Sequence, residues 1–275
     1  MISYNGSVLK VNNGWVDGEF PTPPTTNLPP MTLKVQYTNT SVPGAHEPRT
    51  TDYYTYRRVS TTDYIYLITL TAQPPEAWLA DEFAYSNWGN RFGKILDANV
   101  SGVTSMYRWF LGNDCYCPEV TLRNAVDVTS LKEFAAPEND DAVITSIYID
   151  NLVNLEDADS MCQIAYNASS PTLQSCTLKN TTSKLTNCHM MFYGCRNLTN
   201  VPLFNTKGVT DVRQMFDQCT KMNPSQVLAW YQQLSTQPNP PANHIACFRD
   251  AGKNVSGGSE VLAQIPASWG GTGEG

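Results

Sequence analysis

Charged residues are scarce in this 275-residue chain, where Asp, Glu, Lys and Arg together make up 16% of the sequence. Acidic residues outnumber basic ones by 25 to 18, and the formal net charge is −7 at pH 7. No run of Lys and Arg forms a local basic patch, and a negatively charged chain repels phosphate backbones. The sequence therefore predicts a protein without a nucleic-acid partner.

Long apolar runs are also missing. The longest one, Tyr64 to Ala72, is too short and too rich in Thr to cross a bilayer. The N-terminus, MISYNGSVLKVNNGWV, has neither the basic region nor the continuous apolar region of a secretory signal. We therefore expect no membrane insertion, and a chain that either stays in the cytosol or leaves it by cell lysis or inside a particle. In a reducing compartment its eight cysteines are expected to be buried thiols.

Sequence motifs of catalysis and metal binding are missing as well. No Gly-rich phosphate loop follows a strand, and no Gly-x-Ser-x-Gly elbow occurs. Cys115 and Cys117 lie one residue too close together for the usual zinc pair, and adjacent Cys188 and His189 should point to different faces of the chain. The acidic segments ENDD and EDADS lack the Gly and the terminal Glu of a calcium loop. The sequence predicts no catalytic residue, no metal site and no cofactor, and hence a protein that is not an enzyme.

The first thirty residues predict a small β-structure followed by a spacer. Asn5-Gly6 lies between ISY and SVLKV and is a strong hairpin signal. The segment FPTPPTTNLPP is dense in proline and predicts a stiff, extended spacer. A hairpin of this size is marginal on its own, so we expect it to dock on a partner as an anchor. The expected anchor contacts are Val8, Val11, Trp15 and Val16.

A segment rich in Tyr and Arg lies between two predicted strands, MTLKVQYTN and DYIYLITLT. Tyr and Arg offer rigid amphipathic area for contact with proteins or glycans, which makes this segment a candidate ligand-binding site. An aromatic row across the strands of a sheet face explains the same residues equally well. The candidate residues are Tyr53, Tyr54, Tyr56 and Arg57.

Five segments in the second half of the chain share one frame, and their first residues lie 24 to 30 positions apart. These segments are VTSMYRWF (103–110), VTSLKEF (128–134), LEDADSMC (155–162), LTNCHMMF (185–192) and VTDVRQMF (209–216). The short β-like pieces EVTL, SIYI, SCTL and VPLF lie between them. The pattern predicts stacked units of a short strand, a turn and a brief helical segment that carries Met or Phe inward.

The best-formed unit, LTNVPLFNTKGVTDVRQMFDQC (198–219), resembles the BspA-like leucine-rich repeats, also called the DUF285 family. This resemblance implies an α/β repeat fold, a leucine-rich repeat solenoid with a β-rich N-terminal cap and a helical C-terminal cap, preceded by the hairpin anchor. The expected parts are 1–18 (anchor), 19–30 (proline-rich spacer), 31–100 (N-terminal cap), 101–222 (BspA-like repeats) and 223–275 (C-terminal cap). In the last part PSQVLAWYQQLS predicts a helix, because its apolar residues form one stripe and Pro224 lies at its start.

The two ends of the chain resemble parts of similar proteins coded by gut bacteria and their phages. The closing segment HIACFRDAGKNVSGGSEVLAQIPASWGG and the opening YNGSVLKVNNGW carry this resemblance. It implies a non-enzymatic phage virion surface or fibre protein, decorating head or tail and assembled in the bacterial cytoplasm. The anchor would bind a virion structural protein, and the leucine-rich repeat face a host-surface protein or glycan.

Two other functions compete with this one, and homo-oligomerisation is left open by the sequence. The first is a bacterial cell-surface adhesin of the BspA-like type. The second is a hydrolase acting on surface glycans, for which the sequence offers no pair of carboxylates at interpretable positions.

Overall fold

The computed structural model of the chain describes residues 2–4, 7–9, 11–12, 15–16, 32–37, 49–50, 54–58, 65–70, 72–73, 92–110, 117–136, 143–164 and 172–274. Strands β1 (Ile2–Tyr4) and β2 (Ser7–Leu9) pair antiparallel on either side of Asn5-Gly6, as the turn signal predicts. Strands β3 (Val11–Asn12) and β4 (Trp15–Val16) form a second antiparallel pair. The predicted proline spacer lies outside the described residues.

A five-stranded antiparallel sheet follows, with the strand order β6-β7-β8-β5-β9. Its strands are β5 (Thr32–Tyr37), β6 (Arg49–Thr50), β7 (Tyr54–Arg58), β8 (Ile65–Leu70) and β9 (Phe92–Asn99). Strands β5 and β8 confirm the two strands that the sequence predicts here. Leu33 and Val35 alternate with half-buried neighbours and are fully buried, because successive side chains of a strand point to opposite faces.

A second, parallel sheet is built from β10 (Glu119–Leu122), β11 (Ser146–Ile149) and β12 (Ser175–Leu178). Val120, Ile147 and Cys176 lie side by side in register and are buried. These three strands were expected from EVTL, SIYI and SCTL. The fourth predicted piece, VPLF, forms no strand, although residues 201–204 are all described.

Helix α1 (Pro224–Thr236) contacts the backbone of residues 201–204, which follow β12, the edge strand of the parallel sheet. Trp230 Nε1 donates to the carbonyl of Val201 at 2.8 Å, and the Val201 amide donates to Gln226 Oε1 at 2.9 Å. Gln233 Nε2 donates to the carbonyl of Phe204 at 2.8 Å. Helix side chains thus take the place of a further strand for these backbone groups.

The predicted C-terminal helix is confirmed by α1. It begins with Pro224 in its first turn, and the side chain of Asn223 accepts a hydrogen bond from the Ser225 amide at 3.0 Å as an N-cap. Its buried residues are Val227, Trp230 and Leu234, which belong to the predicted stripe. A second helix, α2 (Gly258–Leu262), and a 3-10 helix at Ala267–Trp269 follow.

The prediction of an α/β leucine-rich repeat solenoid is wrong. The described residues form small β-sheets with only two α-helices, both after residue 223, and no solenoid or repeat architecture is detected among them. The segments expected to be helical are turns. The reason is a left-handed residue in each of them, which interrupts the run of right-handed dihedrals that a helix needs. These residues are Arg108, Glu133, Ser160, Met190 and Gln214, with φ between 49° and 56°.

One continuous hydrophobic core contacts both sheets and the C-terminal helices. The sequence predicts that Phe110, Phe134, Phe192 and Phe216 share it, and all four are at most 2% exposed and lie in the same cluster. Phe192 and Phe216 stack with their ring centroids 5.6 Å apart, whereas Phe110 and Phe134 meet edge to face at 5.1 Å. Aromatic packing of this kind stabilises the core beyond the area it buries.

Two half-buried alanines allow a test of the left-handed turns. Ala246 has φ 56°, where an L-residue is strained by about 1 kcal/mol or more and glycine is not. Ala246→Gly is therefore expected to raise the free energy of unfolding slightly, as measured by urea denaturation. The matched change Ala229→Gly lies inside α1 and should lower it by about 1 kcal/mol. Equal losses from both changes would contradict the left-handed turn at Ala246.

Candidate functional site

The five left-handed turns described above and a sixth at Ala246 each place one side chain outward, on the residue directly before the left-handed one. We call these six residues the turn row. Its members, in order, are Tyr107, Lys132, Asp159, His189, Arg213 and Ile245. The amide after each member donates to the carbonyl of the next member, for example from Ser160 N to His189 O at 2.8 Å and from Met190 N to Arg213 O at 2.9 Å. Adjacent backbones joined in this way lie about 4.8 Å apart, so the members form a regular line.

The first five turns are held in place by the residue two positions before the row member, whose side chain accepts a hydrogen bond from the amide of that member. The amide of Asp159 donates to Asp157 Oδ1, that of His189 to Asn187 Oδ1 and that of Arg213 to Asp211 Oδ1, each at 3.0 Å. Ser, Asn and Asp favour such turns because their short side chains reach the backbone two residues on. Parallel bridges also join these residues across the segments, from Ser105 to Asn243.

Asp159 connects the centre of the turn row. Its carboxylate accepts a hydrogen bond from His189 Nδ1 at 2.9 Å and pairs with Lys132 Nζ at 3.2 Å. The hydrogen bond to Asp159 raises the pKa of Lys132 above its ordinary value. The side chain of Asp159 is 18% exposed and that of Lys132 is 40% exposed, so the carboxylate lies beneath the ammonium group.

A second charged pair lies beside His189 in the turn row. Arg213 Nη2 contacts Asp211 Oδ2 at 2.6 Å, and Arg213 Nε is 3.0 Å from both carboxylate oxygens. Burial raises the pKa of Asp211, but hydrogen bonds from the side chain and backbone of Arg213 outweigh it and hold that pKa below its ordinary value. The side-chain hydrogen bond with Asp211 in turn raises the pKa of Arg213. Both groups are therefore charged at neutral pH.

The cysteines face the other way, into the core. The seven described ones are free and buried, and burial raises the pKa of Cys117 to about 12. Cys188 is fully buried, whereas its neighbour His189 is half-exposed and bonds to Asp159, so the two side chains lie on different sides of the chain. Cys195 and Cys219 donate to backbone carbonyls of Cys162 and Phe192, at 3.0 and 3.1 Å. Protonated thiols in such surroundings are weak nucleophiles and weak metal ligands.

Metal binding finds no support in the described part of the chain, where no group of three or more His, Cys, Asp or Glu could hold an ion. In the acidic segment EDADS the carboxylates of Asp157 and Asp159 already have protein partners. Asp157 Oδ1 accepts from Asn187 Nδ2 at 3.0 Å, and Asp159 is held by Lys132 and His189. These oxygens complete the turns and the ion pairs of the row.

The residues predicted for attachment lie in the first four strands. Val8 is in β2 and pairs with Ser3, Val11 of β3 pairs with Val16 of β4, and Trp15 pairs with Asn12. Their side chains lie outside the described residues, so the predicted anchor contacts stay a prediction.

The predicted Tyr/Arg site lies at β7. Tyr54, Tyr56 and Arg57 belong to this strand and pair with Leu70, Ile68 and Leu67 of β8. These pairs place part of the segment in a sheet, whereas Tyr53 and the side chains of the other three lie outside the described residues. The choice between a binding site and a sheet face therefore stays a prediction.

The turn row was not predicted from the sequence, although the sequence contains a signal for it. The third position of every shared segment is Ser, Asp or Asn, namely Ser105, Ser130, Asp157, Asn187 and Asp211. These side chains mark the turns, and the row member always follows two residues later. Because the downstream residues were predicted to be helical, the outward position two residues after each Ser, Asp or Asn was not predicted.

Comparison with known proteins supports the resemblance for part of the chain. Residues 159–237 match the family described as "Mycoplasma protein of unknown function, DUF285". The matched range includes Asp159, His189 and Arg213 of the turn row as well as α1. This match is compatible with a BspA-like surface protein, and it carries no indication of phages or of gut bacteria. No curated protein and no solved structure matches the chain.

No helix in the described ranges has the length and apolar character needed to cross a membrane.

Proposed function

We propose that this protein is a non-enzymatic surface protein that binds its partner through the turn row. The observation that carries the proposal is the fixed geometry of the row. Asp159 holds both Lys132 and His189, and Asp211 holds Arg213. Side chains that are already ordered lose little conformational freedom on binding, which favours recognition. The absence of an enzymatic role is part of the proposal, and the buried, protonated thiols support it.

The location that we propose is the phage virion, where the protein would be a surface or fibre protein. In this proposal β1 to β4 dock on a virion structural protein through Val8, Val11, Trp15 and Val16, and the turn row contacts a host-surface protein or glycan. Support comes from the resemblance of the opening segment to the anchoring starts of phage virion proteins and from the small size of the two ribbons. Two-stranded ribbons need a partner to be stable.

The second candidate is a bacterial cell-surface adhesin of the BspA-like type. The match of residues 159–237 favours it, because that match is compatible with a surface protein and is silent on virions. Both candidates use the same binding row and differ in where the protein is displayed.

Deleting Met1 to Phe20 tests the proposed attachment. The truncated protein is expected to stay folded and soluble, because the core lies between Leu33 and Trp269, but to be lost from virions. The measurement is complementation with truncated and full-length chains, followed by blotting of purified particles. Full-length protein carrying Ala246→Gly serves as the matched control and should be incorporated normally.

Equal incorporation of the truncated chain would contradict attachment through the first strands. Full-length protein found on intact, uninfected bacterial cells and missing from purified particles would instead establish the adhesin.

A further inference from the structure

We propose that the turn row binds a neutral, extended glycan, with the sugar chain running along the row from one segment to the next. This inference rests on the proposed function as a binding protein and specifies its ligand. It is independent of whether the protein is displayed on a virion or on a cell.

Charge balance in the row argues for a neutral ligand. The two cations, Lys132 and Arg213, face the two carboxylates of Asp159 and Asp211. Asp157 adds a further negative charge close by, and the whole chain carries −7. The row therefore offers no net positive potential to attract sulfated, phosphorylated or carboxylated polymers.

The hydrogen-bonding groups of the row fit hydroxyl ligands. Arg213 is 45% exposed and Lys132 40%, while their carboxylate partners are 14% and 18% exposed and already bonded. His189 Nε2 has no hydrogen-bond partner among the described residues, because Nδ1 makes the bond to Asp159. Sugar hydroxyls both donate and accept, so they can satisfy the outer N–H groups and the imidazole nitrogen together. Hydrogen bonds from charged groups such as Lys132 and Arg213 are stronger than hydrogen bonds between two neutral groups.

The spacing of the row also fits a sugar chain. Successive members are carried on backbones about 4.8 Å apart, which is close to the advance of one sugar unit in an extended glycan. The four central members thus present a polar group at each step, from Lys132 to Arg213.

A protein partner fits the centre of the row less well. Protein interfaces draw most of their binding energy from buried aromatic and apolar anchors, together with Arg. Between Lys132 and Arg213 the row contains no apolar member, and its apolar residues, Tyr107 and Ile245, lie at the two ends. The row is therefore a line of polar contacts without a central hydrophobic anchor.

Affinity electrophoresis of the full chain tests the inference. The native protein is run through gels that contain soluble mannan, mixed-linkage β-glucan or arabinoxylan, and through gels that contain the acidic polymer polygalacturonate. We expect at least one neutral polysaccharide to retard the protein, and a roughly tenfold rise in salt concentration to leave that binding unchanged. Arg213→Ala and His189→Ala should each weaken it by about tenfold. Lys221→Ala, an exposed change away from the row, is the control and should bind like the parent.

Three results would overturn the inference: retardation by polygalacturonate alone, parent-like binding by both row variants, or no retardation by any neutral polysaccharide. Each variant is first checked for a parent-like melting curve, so that lost binding reports on the row.

Failure of the inference is separable from failure of the proposed location. Virions that contain the protein while no polysaccharide binds would reject the glycan alone. Row-dependent polysaccharide binding by a protein that is missing from virions would reject the location alone.

Discussion

Phe216→Ala is expected to lower the free energy of unfolding by about 3–5 kcal/mol, which is a large part of the stability of an ordinary domain. Phe216 is fully buried and lies at the centre of an aromatic cluster. Its ring centroid is 5.6 Å from that of Phe192, 5.8 Å from that of Phe248 and 5.4 Å from that of Trp230. Alanine would leave a cavity between three large rings that cannot all close around it.

Urea denaturation followed by circular dichroism measures this loss. Ile245→Ala is the matched control, because Ile245 is 70% exposed and its truncation should change the stability by no more than about 0.5 kcal/mol. If Phe216→Ala unfolds at the same urea concentration as the parent, Phe216 does not occupy the core position described above.

Arg249→Ala is expected to cost on the order of 3 kcal/mol, because it would leave the carboxylate of Asp217 buried without its counter-charge. The side chain of Asp217 is 0% exposed, while that of Arg249 is 52% exposed. Arg249 Nε donates to Asp217 Oδ1 at 2.9 Å, its Nη2 contacts Oδ2, and Gln214 Nε2 donates to Oδ2 at 3.1 Å. The loss is expected at the lower end of the range for buried pairs, since water reaches the guanidinium side.

The control for this prediction is Lys253→Ala, which removes the exposed Lys253–Asp250 pair. Both of its side chains are more than 40% exposed, and such a pair contributes less than about 1 kcal/mol. Adding Asp217→Asn to Arg249→Ala should recover part of the lost stability, because the buried charge is removed with its partner. A loss from Arg249→Ala no larger than that from Lys253→Ala would show that Asp217 is not held by this pair.

Much of the local structure could be predicted from the sequence, because it depends on neighbours along the chain. Alternating apolar residues predicted β5, and an apolar run predicted β8. Short β-like pieces between the shared segments predicted the three strands of the parallel sheet. Pro224 and a stripe of apolar residues predicted α1 nearly to the residue. These patterns are short-range, so they are visible without knowledge of the fold.

The helical segments were predicted wrongly for an equally physical reason. Left-handed residues usually reveal themselves as glycine, but the turns use Arg108, Glu133, Ser160, Met190 and Gln214 instead. A left-handed backbone at such residues is kept only because hydrogen bonds from neighbouring segments hold both sides of the turn. The sequence of one segment contains no trace of those bonds.

The sequence by itself determined the positions of β5, β8 and the three parallel strands, and the start of α1. It also determined the inward-facing Met, Phe and Cys residues and the Ser, Asp or Asn at each turn. Only the tertiary structure decided what these turns build on the surface. Asp159 and His189 are 30 residues apart in the chain, and Asp217 and Arg249 are 32 residues apart. Each pair meets because successive segments align in register. Alignment of that kind depends on the packing of a shared core, in which each segment buries its apolar residues against the next. The turn row is therefore a product of tertiary packing, although every residue in it was present in the sequence.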